Sequence, residues 1–221
     1  NQYTRFHFDL WLKRRINDAN LYYGVREGAF ALHHATWLAK VLPDSFPLQA
    51  GGTATNGATL RAQYLADAEA IATRYFARLQ YADGSWRWDD WDYTDSDGGT
   101  LKGVMQPFMI GLLLTALADL HILTTNQTVK DSIAVQITKA CRHLYSDGPY
   151  MTQWVAGVGV RARGFHYFYH GGTTVNLTRY QTGYYPPNWD TTCVSDVQNA
   201  RQQIATIVAA YGYAYMITGD P

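Results

Sequence analysis

Residues 60–79 read LRAQYLADAEAIATRYFARL and are the strongest indication of the fold class. Apolar side chains recur in this stretch at intervals of three or four residues: Leu60, Tyr64, Ala68, Ile71, Tyr75 and Leu79. This spacing places them on one face of an α-helix, because about 3.6 residues complete a helical turn. Asp83-Gly84 follows, and glycine readily adopts the left-handed conformation that ends a helix. The stretch therefore predicts an amphipathic outer helix.

A second amphipathic helix is predicted over residues 129–144. Its apolar face is formed by Val129, Ile133, Ile137, Ala140 and Leu144. Asp131 lies in the first turn, and Arg142 and His143 lie in the last, where each charge complements the helix dipole. A second Asp-Gly pair, at residues 147–148, then ends the helix. We expect this helix to pack as the first one does.

Three further stretches are predicted to be inner helices, at about residues 21–42, 108–123 and 197–217. The second of them is apolar on nearly all sides, which is typical of a helix buried on several sides. Inner and outer helices therefore alternate along the chain. The ends of two inner helices also resemble each other, as ILTTN at 122–126 and MITGD at 216–220. The pattern indicates a helical-hairpin repeat.

These elements predict an all-α fold of helical hairpins in which residues 1–221 form a single domain. A chain of 221 residues with 47% hydrophobic side chains can bury a core without a metal or a disulfide. If the repeat continues, an outer helix follows Pro221. We therefore expect the domain to be part of a longer chain, with further domains of that chain as partners.

The charge balance narrows the range of partners. The chain has 18 basic and 18 acidic side chains and a formal net charge of zero, so it lacks the positive field that attracts nucleic acid or anionic lipid. Its apolar runs are also too short for a membrane span. We expect neither a nucleic-acid partner nor a membrane span. The 14% aromatic content instead favours surface recognition, because Tyr and Trp present flat apolar faces to sugars or partner proteins.

Two long connections interrupt the helices, at residues 86–103 and 149–192. They contain five of the seven Trp residues and seven of the 17 Tyr residues, together with the glycine pairs at 98–99 and 171–172. Long connections inside a domain are usually functional or disordered, and their aromatic content argues against disorder. We therefore expect the functional residues to lie in these connections.

Two segments resemble parts of a known architecture. YFARLQYADGSW at residues 75–86, with its Gln80, Gly84 and Trp86, is similar to the helix-to-loop turn of α/α-toroid proteins. YGYAYMITGDP at residues 211–221 resembles the inner-helix ending of α/α-toroid glycoside hydrolases and polysaccharide lyases. The resemblance implies part of an (α/α)n toroid with long aromatic-rich loops, and a carbohydrate-active function. It carries no catalytic residue over to this chain.

The first connection contains an acidic segment. Five carboxylates fall within nine positions: Asp89, Asp90, Asp92, Asp95 and Asp97. Carboxylates at this density repel one another unless a proton or a cation offsets them. Asp89, Asp90 and Asp92 are candidate acid and base groups for glycoside hydrolysis, with Trp86, Trp88 and Trp91 as candidates for stacking on the sugar.

Two other interpretations of the acidic segment stay open. Asp95, Asp97 and the following Gly98 match part of a calcium-binding loop and are candidate Ca²⁺ ligands, although position 93 is Tyr and the expected Glu is absent. The sequence predicts no cofactor unless these carboxylates bind Ca²⁺. The segment also fits an ordinary solvated loop.

The second connection contains the His-Tyr segment, RARGFHYFYHGG at residues 161–172. A polysaccharide lyase must neutralise a uronate carboxylate, remove a proton and protonate the leaving oxygen. Arg163, His166, Tyr167 and Tyr169 are candidates for those catalytic roles, and His170 is a candidate for binding the substrate. The alternation of side chains fits a packed β-strand or a noncatalytic sugar-binding segment equally well.

The remaining candidates lie farther along this connection. Tyr184, Tyr185 and Trp189 flank two prolines in YYPPNW, and they form either a stacking platform for substrate or a lid over the helix ends. Cys141 and Cys193 are either one disulfide or two free buried thiols, since geometry decides between these alternatives.

Together these observations predict a secreted or periplasmic carbohydrate-active protein whose partner is a polysaccharide or oligosaccharide. The reaction is either hydrolysis of a glycosidic bond by the acidic segment or elimination at a uronate by the His-Tyr segment. The alternative is a noncatalytic carbohydrate-binding or scaffold module without activity of its own. Two paired carboxylates across a cleft favour hydrolysis, and a basic groove favours elimination.

Overall fold

A computed structural model describes residues 25–47, 54–86, 93–94, 100–101, 104–105, 107–145, 150–155, 160–165, 169–170 and 205–219. Within these ranges, the structure describes the side chains of residues 25–45, 56–86, 107–145 and 205–219. Helices make up most of the described residues, which is consistent with the predicted all-α class. The toroid arrangement stays a prediction.

The described helices follow the five predicted stretches. They are α1 (Val25–Val41), α2 (Gly57–Ala70), α3 (Ala77–Leu79), α4 (Pro107–Leu123), α5 (Gln127–Tyr145) and α6 (205–218). A π-helical segment, Ile71–Phe76, joins α2 to α3, so that residues 57–79 form one continuous helical rod. The periodicity predicted this rod correctly, but it gave no indication of the π-helical segment.

The start of α2 is fixed by local contacts. Asn56 caps the helix, because its side-chain oxygen accepts a hydrogen bond from the Thr59 amide at 3.1 Å. The Gly57 amide donates to the Asp44 carbonyl at 2.7 Å. A Cβ at Gly57 would lie 1.6 Å from the Pro43 carbonyl oxygen, so only glycine fits at this position.

The strands form short antiparallel pairs. They are β1 (Ser45–Pro47) with β2 (Ala54–Asn56), β3 (Tyr93–Thr94) with β4 (Thr100–Leu101), β5 (Val104–Met105) with β8 (Tyr169–His170), and β6 (Tyr150–Val155) with β7 (Val160–Phe165). The register of the longest pair runs from Tyr150 opposite Phe165 to Val155 opposite Val160. Each described sheet has two strands. The long connections therefore contain strand structure, which was one of the alternatives for the His-Tyr segment.

The chain divides into two compact units. Unit 1 comprises residues 1–79 and 113–136, and unit 2 comprises residues 80–112 and 137–221. In unit 1, a Cβ at Gly28 of α1 would lie 2.5 Å from the Phe76 ring, so glycine allows the helix to approach the π-helical segment. Gln136 donates from Nε2 to the Ala72 carbonyl at 3.2 Å, which ties this segment to α5.

Unit 2 contains a close helix-to-helix contact. A Cβ at Gly111 of α4 would lie 2.8 Å from the Thr206 backbone carbon of α6. The Thr206 hydroxyl donates to the Phe108 carbonyl at 3.4 Å, and the Tyr211 hydroxyl donates to the Cys141 carbonyl at 3.1 Å. Glycine and these two hydrogen bonds therefore join α6 to both α4 and α5.

Burial confirms one predicted inner helix and corrects two. The predicted apolar face of α5 is buried, and α4 buries most of its apolar side chains. In α1 and α6, which were both predicted to be inner helices, six apolar side chains are exposed: Phe30, Trp37, Val41, Val208, Tyr215 and Met216. Each of these two helices has one buried face and one exposed face. Among the helices of the described ranges, none has the length and apolar character to cross a membrane.

Candidate functional site

The acidic segment begins directly after a tight turn, residues 80–86, that belongs to unit 2. The Gly84 amide donates to the Tyr81 carbonyl, and the Tyr81 amide donates to the Ser85 carbonyl, both at 2.9 Å. The Gln80 side chain closes the turn, since its Nε2 donates to the Gly84 carbonyl at 3.1 Å. The turn is thus held by both backbone and side-chain hydrogen bonds.

Gly84 is required at this turn for two independent reasons. Its φ of +94° is in a region that L side chains rarely adopt. A Cβ there would also lie 2.2 Å from the Lys139 carbonyl oxygen of α5. The turn therefore packs directly against the backbone of α5, which explains the glycine in the QxxxGxW pattern.

Asp83 anchors the same turn through its carboxylate. Its Oδ1 accepts hydrogen bonds from the Ser85 amide at 3.0 Å and from the Ser85 hydroxyl at 2.7 Å. Its Oδ2 lies 3.7 Å from Nδ1 of the buried His143, an ion pair when the imidazole is protonated. The sequence identified Asp83 only as a helix stop and His143 only as a dipole partner, because a contact between residues so far apart along the chain leaves no local pattern.

Trp86 completes the turn, and its side chain is buried. Its exposed fraction is 1%, and the neighbouring Ser85 is fully buried. An indole with so little exposed surface cannot stack on a sugar. The structure therefore assigns Trp86 to the core rather than to the substrate-binding set predicted from the sequence.

The other candidates of the acidic segment lie outside the described residues, namely Trp88, Asp89, Asp90, Trp91, Asp92, Asp95 and Asp97. The backbone on both sides of Asp95 and Asp97 is described. Tyr93 pairs with Leu101 and Thr94 pairs with Thr100, so β3 and β4 form a hairpin whose connection, residues 95–99, carries the candidate Ca²⁺ ligands.

The His-Tyr segment is described at three candidate positions by its backbone. Arg163 on β7 pairs with Thr152 of β6. Tyr169 and His170 on β8 pair with Met105 and Val104 of β5, directly before α4 begins. The remaining candidates, His166, Tyr167, Tyr184, Tyr185 and Trp189, lie outside the described residues. All candidate positions in both connections belong to unit 2.

Metal-binding and thiol groups are a further possible source of chemistry among the described side chains. In those ranges no three His, Cys, Asp or Glu side chains lie close enough to hold a metal ion. Cys141 is a free, buried cysteine whose sulfur lies 3.9 Å from the Ala210 carbonyl oxygen. Burial raises the pKa of this thiol to about 12, so it is a neutral core group rather than a nucleophile. Cys193 lies outside the described residues.

Unit 1 contains polar groups that the sequence analysis did not identify. The Thr124 hydroxyl donates to Oε1 of Glu69, one of the two glutamates of the chain. His33 Nδ1 lies 3.4 Å from Asp119 Oδ2 at the surface of the unit. Burial raises the pKa of the Tyr75 hydroxyl. The charge of Arg78 lowers this pKa, and the charge of Glu27 raises it further. The Thr124–Glu69 and His33–Asp119 contacts each join residues far apart in the chain, and no motif spacing indicates them.

The chain matches no protein-family model, no curated protein and no solved structure. The toroid resemblance and the carbohydrate function therefore stay predictions. The anchored turn and the strand pairings of unit 2 are the geometry on which a functional proposal can rest.

Proposed function

We propose that this chain is a polysaccharide-processing domain of a secreted carbohydrate-active protein. The supporting observation is the anchoring of the turn at residues 80–86, directly before the acidic segment. Gly84 packs on α5, Asp83 contacts Ser85 and His143, and the Trp86 ring is buried. A catalytic segment needs such a rigid base, because small displacements of reacting groups greatly reduce rates.

In the hydrolytic form of this proposal, the catalytic carboxyl groups come directly after the turn in the sequence. One of Asp89, Asp90 and Asp92 protonates the glycosidic oxygen, and a second activates water or attacks the anomeric carbon. The rings of Trp88 and Trp91 stack on the sugar. Asp95 and Asp97, on the connection between β3 and β4, hold Ca²⁺ if the segment needs a cation to offset its charge.

In the eliminative form, the His-Tyr segment supplies the chemistry. Arg163 neutralises the uronate carboxylate, His166 removes the adjacent proton, and Tyr167 or Tyr169 protonates the leaving oxygen. His170, Tyr184, Tyr185 and Trp189 contribute to substrate binding. The pairing of β8 with β5 supports this form, because it fixes the backbone of Tyr169 and His170 beside the start of α4.

A polysaccharide panel separates the two forms. The protein is incubated with polygalacturonate and alginate as uronates, and with xylan and soluble β-glucan as neutral glycans. New reducing ends with the ultraviolet absorbance of an unsaturated uronate indicate elimination, and reducing ends alone indicate hydrolysis. If no product forms but a glycan retards the protein in a gel, the noncatalytic binding module is correct.

Matched variants assign the products to one segment. At least two of the variants Asp89→Asn, Asp90→Asn and Asp92→Asn abolish hydrolysis, and His166→Ala abolishes elimination, while Asp131→Asn at an exposed position of α5 serves as the control substitution. Full activity in all four variants would contradict the assignment of catalysis to these segments.

A further inference from the structure

We propose that the exposed face of α1 in unit 1 is a second saccharide-binding surface, centred on Phe30 and Trp37, neither of which is among the candidate residues named so far. This inference rests on the proposed function, because it assumes that the chain handles a glycan. It concerns a different unit, different residues and a binding role without catalysis.

The first argument is the placement of two rings on one helical stripe. Phe30 and Trp37 are seven positions apart on α1. At about 1.5 Å per residue they lie roughly 10 Å apart along the axis, and at about 100° per residue their directions differ by only some 20°. That separation is about two sugar units of an extended glycan, so one chain laid along α1 can meet both rings.

The second argument is exposure. Phe30 is 47% exposed and Trp37 is 39% exposed, whereas Leu32 and Ala35 on the opposite side of the same helix are fully buried. The core of unit 1 is therefore built by the other face of α1. Large rings left in water are candidates for recognition, since clustered exposed apolar groups mark interaction sites.

The third argument distinguishes a sugar from a protein helix as the occupant. His33 lies between the two rings along α1, and its Nδ1 is 3.4 Å from Asp119 Oδ2, with side-chain exposures of 52% and 36%. An apolar helix covering this pair would remove both groups from water without replacing their hydrogen bonds. Sugar hydroxyls can hydrogen-bond to the imidazole and the carboxylate while the C–H face of the ring packs on Phe30 and Trp37.

The exposed stripe of α6 provides a useful contrast. It consists of Val208, Tyr215 and Met216, which include a single aromatic ring. The described contacts of α6 place no ionisable pair beside these residues. Of these two exposed stripes, therefore, only that of α1 combines two aromatic rings with a neighbouring imidazole and carboxylate.

Affinity electrophoresis tests this surface directly. The full chain is run through gels containing polygalacturonate, alginate, xylan or soluble β-glucan, and the dissociation constant is taken from the retardation. We expect Phe30→Ala and Trp37→Ala each to weaken binding to the retarding glycan about tenfold. Trp37→Phe restores most of the affinity because it keeps an aromatic ring. The control is Tyr145→Ala, which removes an aromatic ring that is 72% exposed on α5 and should leave retardation unchanged.

The outcomes separate this inference from the proposed function. Thermal unfolding within experimental error of wild type shows that the α1 variants are folded. Unchanged retardation of Trp37→Ala and Phe30→Ala overturns the inference, whatever the panel shows for catalysis. Absence of retardation by every glycan also overturns it. Loss of retardation in the α1 variants with cleavage of short oligosaccharides preserved supports both proposals. The same loss without cleavage by wild type supports the surface alone.

Discussion

Replacing Gly84 with alanine tests the anchoring of the turn from which the acidic segment departs. The new Cβ meets the Lys139 carbonyl oxygen at 2.2 Å and the residue must keep a φ of +94°. The left-handed backbone costs about 1–2 kcal/mol for an L residue. Overpacking of the new methyl group against α5, which forces the turn away from the helix, adds about 1–3 kcal/mol. We therefore expect Gly84→Ala to destabilise the chain by about 3 kcal/mol, which lowers Tm by roughly 6–12 °C at this chain length.

Two other glycines separate the contributions to this loss. Gly219 has a φ of +67° and open space around its Cβ position, so Gly219→Ala reports backbone strain alone. Gly212 lies within α6 and also has open space, so Gly212→Ala should stabilise the helix by up to about 1 kcal/mol. Among the three variants, Gly212→Ala should have the highest Tm and Gly84→Ala the lowest. If Gly84→Ala and Gly219→Ala unfold at the same temperature, the packing of the turn on α5 is refuted.

Three further predictions concern the cores. Folding raises the pKa of the Cys141 thiol from 9.0 to about 12, so its contribution to stability is full below pH 9 and declines as the pH rises to 12. In Cys141→Ala, the free energy of unfolding measured with urea should therefore fall less steeply between pH 9 and pH 12 than in wild type. An unchanged pH dependence contradicts this. Gly28→Ala should lower the free energy of unfolding by about 1–3 kcal/mol, because the new methyl group meets the Phe76 ring. In a double-mutant cycle, Phe76→Ala should remove part of this loss, and strictly additive losses argue against the contact. Thr124→Val should cost about 1–3 kcal/mol by removing the donor to Glu69, and Thr124→Ser should retain the stability; equal losses argue against the hydrogen bond.

The helices could be predicted because their information is local. The faces of α2 and α5 follow from apolar residues repeated at three and four positions, and α5 buries Val129, Ile133 and Ile137 as that pattern requires. The π-helical segment Ile71–Phe76 could not be predicted this way, because one widened turn leaves the same apolar face. Its tie to Gln136 becomes visible only when the chain has folded.

The candidate site was predictable only in part. The QxxxGxW pattern correctly indicated a helix-to-loop turn, but its tryptophan is a core residue and its aspartate is held by His143 from α5. The exposed faces of α1 and α6 were predicted to be buried, since apolar composition does not say which side of a helix has a neighbour. The pairing of β5 with β8 joins residues far apart in the chain, and no local pattern fixes such a register.

The polysaccharide panel tests the central claim most directly. Wild-type protein is incubated with each uronate and neutral glycan, and reducing ends and unsaturated-uronate absorbance are followed together. We expect at least one glycan to yield products. We expect these products to be abolished either by at least two of Asp89→Asn, Asp90→Asn and Asp92→Asn or by His166→Ala, while Asp131→Asn leaves them unchanged. A wild-type protein that neither cleaves nor binds any glycan would contradict the account.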